Sequence, residues 1–219
     1  YKRNGISGKR RSKERTEMKV SVSSYSYSLA VSDGRMTQFD TVKTAKEMGF
    51  SAIEFTEIEG DCFDEKIVNA EKIRCEAEKL NFPIIAYLVG AKLWSENEDE
   101  LRAAIENTKK QVDVANALGA KLFRHDVCSK IRPSKISFDM MLPTIAAACR
   151  EITGYAERYG IRTCTENHGF IVQDSDRLER LYNAVNHPNY GILCDIGNFV
   201  CVDENPVTAV SRVAPYAIH

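Results

Sequence analysis

Two acidic residues at the ends of predicted strands are the residues of this sequence best suited to chemistry. Glu166 ends the segment IRTCTE at 161–166, and Asp195 ends the segment YGILCD at 190–195. A carboxylate at the end of a buried strand is costly unless a cation or hydrogen bonds compensate it, and consecutive parallel strands end at one rim. A divalent metal is the simplest compensation. Oxygen ligands favour Mn²⁺ or Mg²⁺, with Co²⁺ and Zn²⁺ as alternatives.

Polar side chains also lie at the ends of the other predicted strands. They are Glu54, Tyr87, Arg124, His125, Asp126, Asn167, His168, Asn198 and His219. Each candidate has a structural alternative. Asp195 could cap the helix or loop that follows it, and Arg124 or His125 could form an ion pair with Glu166, which is a commoner role than metal binding. His168, beside a glycine, could contact substrate or only solvent.

An alternation of strands and helices from Lys19 onward would position these residues. Segments rich in β-forming residues recur about every 25 to 40 residues, which leaves room for a crossover helix between parallel strands. The predicted strands lie at 19–25, 52–55, 84–88, 121–125, 161–166 and 190–195, and a seventh begins at 216–219.

Six helices are predicted from hydrophobic periodicity and from their end signals. They lie at 38–48, 64–80, from Leu101 to a stop at Gly119, at 138–159, and after the N-cap residues Asp174 and Asn205. The glycine stops are typical of a left-handed residue after a helix. Pro143 predicts that the fourth helix begins or kinks near that position.

Consecutive parallel strands joined by helices build either an open doubly wound sheet or a (β/α)8 barrel. A dinucleotide-binding sheet should carry G-x-G-x-x-G after its first strand, whereas this chain has no glycine between that strand and Gly34. We therefore predict an α/β fold of the (β/α)8 barrel type, incomplete, with about seven parallel strands and six helices. Residues 18–219 would form this domain.

Composition and charge restrict the class of protein. With 219 residues, 43% hydrophobic and 28% charged, the chain fits one globular domain, and no apolar run approaches a membrane span. Seven scattered cysteines without a C-x-x-C pair indicate reduced thiols and a cytoplasmic protein. Residues 1–17 are strongly basic. They could bind nucleic acid or act as a targeting segment, but the hydrophobic pattern begins only at Val20, so we interpret them as a disordered extension upstream of the domain.

Five segments together resemble the xylose isomerase-like (β/α)8 superfamily, in its sugar phosphate isomerase/epimerase branch. They are IEF at 53–55, YLVGAKL at 87–93, TENHG at 165–169, LCDIGNF at 193–199 and VAPYAIH at 213–219. The resemblance implies that Glu166 and Asp195 bind a divalent metal, together with a strand-seven histidine and a strand-eight glutamate. His219 matches the earlier histidine of a His-x-His pair whose later member binds the metal, so it is the weakest ligand assignment. The chain as given resembles a fragment without strand eight.

The resemblance also implies a reaction. A sugar isomerase or epimerase removes a proton from a carbon next to a carbonyl and passes through an enediolate, with the metal polarising the substrate oxygens. Glu166 would be the general base, and Glu54, His125, His168 and Asn198 would bind a small carbohydrate, phosphorylated or not. Several members of the family pair as homo-oligomers, whereas nucleic acid and membrane partners are not expected.

Two other functions stay open at this point. An endonuclease IV-like phosphodiesterase shares the barrel, but it expects a histidine three residues after the strand-six aspartate, where this sequence has Asn198. Four histidines are also too few for a trinuclear zinc cluster. A non-catalytic remnant or binding module is the third function, because a fragment would hold only part of the metal site.

Overall fold

Six parallel strands form one sheet, paired in the order in which they occur in the sequence. The computed structural model describes residues 18–128 and 136–219, so the predicted extension at 1–17 lies outside the described residues. The strands are β1 (Ser21–Ser23), β2 (Ala52–Thr56), β3 (Ile84–Val89), β4 (Leu122–His125), β5 (Arg162–Glu166) and β6 (Tyr190–Leu193). The predicted α/β fold with a parallel sheet is confirmed.

Seven α-helices lie in the described part of the chain, one more than predicted. They are α1 (Ser28–Ser32), α2 (Asp40–Glu47), α3 (Phe63–Lys79), α4 (Glu98–Leu118), α5 (Phe138–Glu157), α6 (Ser175–Val185) and α7 (Pro206–Val213). The additional helix is the short α1, which carries no strong periodicity. Asp174 and Asn205 accept hydrogen bonds from the first turns of α6 and α7, as predicted for N-caps. Pro143 lies inside α5, which begins five residues before it.

The first strand is shorter than the predicted segment 19–25. It ends at Ser23 because the chain then turns into a 3-10 helix at Ser24–Tyr27. The Ser24 hydroxyl accepts a hydrogen bond from the backbone N–H of Thr56 at 2.9 Å. A side-chain oxygen is thus the acceptor for this N–H of β2, where a continued β1 would have offered a backbone carbonyl. Serine hydroxyls compete with strand pairing in this way, and the prediction did not allow for it.

The predicted seventh strand is present only as one bridge. Ala217 pairs in parallel with Ile192 of β6, and the backbone N–H of Cys194 donates to the carbonyl of His219 at 3.0 Å. A 3-10 turn over Ala214–Tyr216 occupies the segment in which the strand was expected to begin. The described sheet therefore has six strands rather than about seven.

Strand register separates two faces of the sheet. Tyr87 of β3 pairs with Phe123 of β4, and both side chains are buried among the helices with Ile145 and Ile152 of α5 in the same core. Arg124 pairs with Cys164, so their side chains share the opposite face, the interior of the curved sheet. No helix in the described ranges is long and apolar enough to cross a membrane.

Candidate active site at the carboxyl ends of strands four to six

The alternation of side chains brings a basic and an acidic residue together inside the sheet. Arg124 lies opposite Cys164 in the register of β4 and β5, and Glu166 follows Cys164 by two residues. Because residues two apart in a strand face the same way, Arg124 and Glu166 share the interior face. Both lie at the carboxyl ends of their strands, where barrels of this type place their active sites.

Arg124 is the cation that compensates the buried acids. Its Nη2 lies 2.5 Å from Glu166 Oε2 and 2.8 Å from Asp126 Oδ1, and its Nη1 donates to the carbonyl of Val89 at 3.2 Å. The three charged side chains are 10%, 12% and 4% exposed. Removing one partner of such a buried group leaves an uncompensated charge, which is strongly destabilising. Arg124 therefore forms the ion pair with Glu166 that the sequence analysis gave as a structural alternative.

Glu166 is held at both of its oxygens. While Oε2 faces Arg124, Oε1 accepts a hydrogen bond from the Asn198 side-chain amide at 2.9 Å. Burial raises the pKa of Glu166, and the charge of Arg124 opposes that rise. The result is a fixed carboxylate with a stronger affinity for protons than an exposed glutamate, which suits a general base.

His168 brings a titratable, partly exposed ring to the same cluster. Its Nδ1 lies 3.2 Å from Asp126 Oδ2, while the ring is 48% exposed at the rim. The hydrogen bond to Asp126 raises the pKa of His168, because the carboxylate favours the protonated ring. A protonated His168 can donate from its free side to a ligand oxygen at the rim. Asp126 thereby joins Arg124 to His168.

Asp195 acts as a cap in this structure. Its Oδ1 accepts hydrogen bonds from the backbone N–H groups of Gly197 at 2.8 Å and Asn198 at 3.2 Å. The side chain of Asn167 pairs reciprocally with the Asp195 backbone, donating to its carbonyl and accepting from its N–H, each at 2.8 Å. These bonds fasten the end of β6 to the end of β5. Asn198 contacts both Asp195 and Glu166, so the two acids lie at one rim.

The side chains at this rim do not complete a metal site. Within residues 18–128 and 136–219, no group of three or more His, Cys, Asp or Glu side chains could hold a metal ion. Both oxygens of Glu166 and one oxygen of Asp195 are already engaged by protein donors. The arrangement therefore offers two candidate ligands, Glu166 and Asp195, without a third.

His219 and Glu54 form a separate pair. His219 Nε2 lies 2.7 Å from Glu54 Oε2, so the histidine that was the weakest predicted ligand contacts Glu54 rather than Glu166 or Asp195. Glu54 faces the interior of the sheet as well, because its neighbours in β2, Ile53 and Phe55, are fully buried in the hydrophobic core on the helix side. The side chain of Glu54 is 14% exposed. The interior thus contains two polar groups: Glu54 of β2 with His219, and Arg124 with Asp126 and Glu166 at the ends of β4 and β5.

His125 lies on the opposite face from the cluster. It is fully buried, with its ring centroid 5.9 Å from that of Phe123 and 6.5 Å from that of Tyr190. Burial lowers the pKa of His125 to about 4, so the neutral ring is favoured. In this position the side chain packs in the core and has no surface from which to contact a substrate.

Sequence reasoning did not assign Asp126, Asn167 or Arg124 a functional place. Arg124 and Asp126 are two residues apart in the segment LFRHD, and the alternation of side chains in a strand already separates them from His125. That signal could have selected Arg124 and Asp126 in place of His125. Asn167 had no comparable signal, because its role depends on the Asp195 backbone.

Comparison with known proteins gives one family. Residues 42–219 match the family model described as xylose isomerase-like TIM barrel, whereas no curated protein matches the sequence.

Solved structures with the same fold include enzymes that act on sugars. A 3-keto-D-glucoside 4-epimerase from E. coli is 14% identical with a TM-score of 0.68, over 81% of this chain and 70% of that one. A D-psicose 3-epimerase studied in the presence of D-fructose is 16% identical with a TM-score of 0.71, over 91% and 71%. The probable 3-DHS dehydratase AsbF from Bacillus anthracis is 18% identical with a TM-score of 0.74, over 92% and 72%. At these identities the likeness establishes the fold.

Proposed function

Since this chain belongs to the xylose isomerase-like TIM barrel family, we propose that it is a sugar or sugar phosphate isomerase or epimerase with Glu166 as its general base. The observation that supports this most directly is the carboxylate of Glu166, which is only 12% exposed at the carboxyl end of β5 and is fixed by Arg124 and Asn198. A fixed, partly desolvated carboxylate at this end of a barrel strand is suited to removing a proton from carbon.

The residues of the cluster have distinct parts in this proposal. Glu166 takes the proton from the carbon next to the substrate carbonyl, and Arg124 holds the carboxylate in place and favours its ionised form. The carbonyl oxygen becomes negative as the enediolate forms. A protonated His168, 48% exposed at the rim, can donate a hydrogen bond to that oxygen. Asn198 orients the second oxygen of Glu166.

Metal dependence stays a prediction. The family resemblance implies a divalent metal, Mn²⁺ or Mg²⁺ with Co²⁺ or Zn²⁺ as alternatives, at Glu166 and Asp195. The described residues supply no third ligand, so these two acids alone do not fit a complete site. We derive no step of the reaction from the metal.

Exchange of substrate hydrogen with solvent tests the proposed reaction. An enzyme that forms an enediolate introduces deuterium from D₂O into the carbon next to the carbonyl, which proton NMR detects. D-fructose, D-psicose and D-fructose 6-phosphate are suitable probes, because they separate a free from a phosphorylated sugar. We expect exchange with at least one of them. Loss of exchange in EDTA and its recovery with Mn²⁺ would establish the metal requirement.

A matched pair of variants assigns the base. Glu166→Gln removes the proton acceptor but keeps the shape of the side chain, and we expect exchange to fall about 10²- to 10⁴-fold. Glu151→Gln is the control, because Glu151 also contacts two cations, Arg102 and Lys109, but on the outer surface. Exchange that survives in Glu166→Gln would contradict the assignment. Cleavage of abasic DNA without sugar exchange would instead favour the phosphodiesterase.

A further inference from the structure

A buried amide joins the two loops that carry the candidate active site. Gln173 is 4% exposed, its Oε1 accepts a hydrogen bond from the backbone N–H of Phe170 at 2.8 Å, and its Nε2 donates to the carbonyl of Asn198 at 2.9 Å. The first bond lies within the loop after β5, residues 167–173. The second reaches the turn after β6, residues 195–198. Gln173 therefore uses both ends of its amide to hold the two segments in one arrangement.

The loop after β5 has an unusual backbone at the residue that Gln173 holds. Phe170 has φ of 65° and follows Gly169 with φ of 85°, while its side chain is 60% exposed. A bulky residue in the left-handed region is an outlier that the surrounding structure must impose. Burial of the ring does not supply that constraint. The hydrogen bond from Phe170 to Gln173 contributes to it, together with the bridge between His168 and Val172 on either side of Phe170.

The turn after β6 is coupled to the base through Asn198. Its carbonyl accepts from Gln173, its N–H donates to Asp195 Oδ1, and its side-chain amide donates to Glu166 Oε1 at 2.9 Å. The backbone of Asn198 is thus fixed on both sides while its side chain touches the carboxylate. A change at Gln173 would move the donor that orients Glu166.

We infer that Gln173 is a positioning residue that sets the geometry of Glu166 through Asn198 and fixes the loop carrying His168. This inference rests on the proposed function. Gln173 is not a catalytic residue, because its bonds go to protein groups rather than to the rim. A second contact nearby limits the loss of stability when Gln173 is replaced: Ser175 at the start of α6 donates its N–H to Glu204 Oε2 at 2.8 Å, which joins α6 to the chain after the 3-10 helix at Asn198–Val202.

Three variants separate positioning from stability. Gln173→Leu removes both bonds, whereas Gln173→Glu keeps an acceptor for Phe170 and loses the donor to Asn198. Gln111→Leu is the control, since Gln111 is also a buried amide but bonds to Tyr87 on the helix side of the sheet. Each of the three variants loses at least one buried hydrogen bond, so a general effect on folding should appear in all of them.

We expect Gln173→Leu to lower kcat for deuterium exchange about 10- to 100-fold with a smaller change in KM, because small displacements of a base are costly. Gln173→Glu should resemble Gln173→Leu, and Gln111→Leu should keep the wild-type kcat. In a background of Asn198→Ala the Gln173→Leu effect should largely disappear, because the two residues act on one group. Wild-type kcat in folded Gln173→Leu, or additive effects with Asn198→Ala, would overturn the inference.

A second readout does not depend on activity. Amide hydrogen exchange should become faster at both 167–173 and 195–198 in Gln173→Leu, but in neither segment in Gln111→Leu. Faster exchange in both segments would support the positioning role even if the wild-type protein acted on none of the sugar probes, an outcome that would refute only the proposed function. Unchanged exchange in either segment would overturn the inference about Gln173.

Discussion

Substitution of His125 by phenylalanine tests the difference between a core residue and a substrate ligand. The histidine is fully buried between Phe123 and Tyr190, and its Nδ1 lies 3.0 Å from the carbonyl of Asp126. Its Nε2 has no hydrogen-bond partner in the described residues. His125→Phe keeps an aromatic ring of similar size in this position and removes the group that titrates.

The pH dependence follows from the direction of the pKa change. Burial lowers the pKa of His125 from 6.5 to about 4, so the folded state binds fewer protons than the unfolded state between these values. The stability associated with the neutral ring is fully present above pH 6.5 and is lost as the pH falls toward 4. At 1.36 kcal/mol for each pH unit, the difference corresponds to about 3 kcal/mol.

Urea denaturation of wild type and His125→Phe between pH 7 and pH 4 measures this contribution. The free energy of unfolding of both proteins falls as carboxylates protonate, so the informative quantity is the difference between them. We expect this difference to change by about 3 kcal/mol in favour of the variant as the pH falls.

Two results would refute the reasoning about His125. A difference in unfolding free energy that stays constant with pH would mean that the ring is accessible to protons in the folded protein. A large increase in KM for the sugar probe in His125→Phe, with stability unchanged, would restore the role predicted from the sequence.

Two further predictions concern the interior of the sheet. Arg124→Met should lower the free energy of unfolding by about 3–5 kcal/mol, because it leaves buried carboxylates without their cation. Urea denaturation of the Arg124→Met/Glu166→Gln double variant should show that part of this free energy is recovered. Equal losses of stability in the single and double variants would contradict the ion pair. Gly191→Ala places a Cβ 2.7 Å from atoms of Ile218 and should cost about 1–3 kcal/mol in thermal unfolding. Ile218→Ala in the same chain as Gly191→Ala should remove that cost. Wild-type stability of Gly191→Ala alone would contradict the close packing of Ile218 on Gly191.

The helices were predictable because their signals are local. Gly119 ends α4 with φ of 79°, and the caps at Asp174 and Asn205 lie one residue before their helices. The end of β1 was not predictable in the same way. It depends on a hydrogen bond between Ser24 and Thr56, which are 32 residues apart, and no local pattern indicates that bond.

The site was predictable in part for the same reason. Glu166 could be selected as a candidate from a local pattern, because it is an acidic residue at the end of a predicted buried strand. The partners of Glu166 depend on the register between strands, which a single sequence does not fix. The sequence therefore left Arg124 and His125 as alternative ion-pair partners. The contact between His219 and Glu54 spans 165 residues, and its geometry depends on the curvature of the whole sheet.

The charges of the cluster give a reason for its composition. Asp126 and Glu166 are two buried acids, and Arg124 supplies one positive charge beside them. Protonation of His168, which its contact with Asp126 favours, would add a second positive charge, and these four side chains together would then be neutral. In the proposed reaction Glu166 would accept a proton from the substrate, and the cluster would then gain one positive charge. The enediolate of the proposed reaction would be negative, so the added positive charge would stabilise it, and return of the proton would remove both charges together. A cluster with one cation fewer would instead become neutral as the enediolate forms and would stabilise it less.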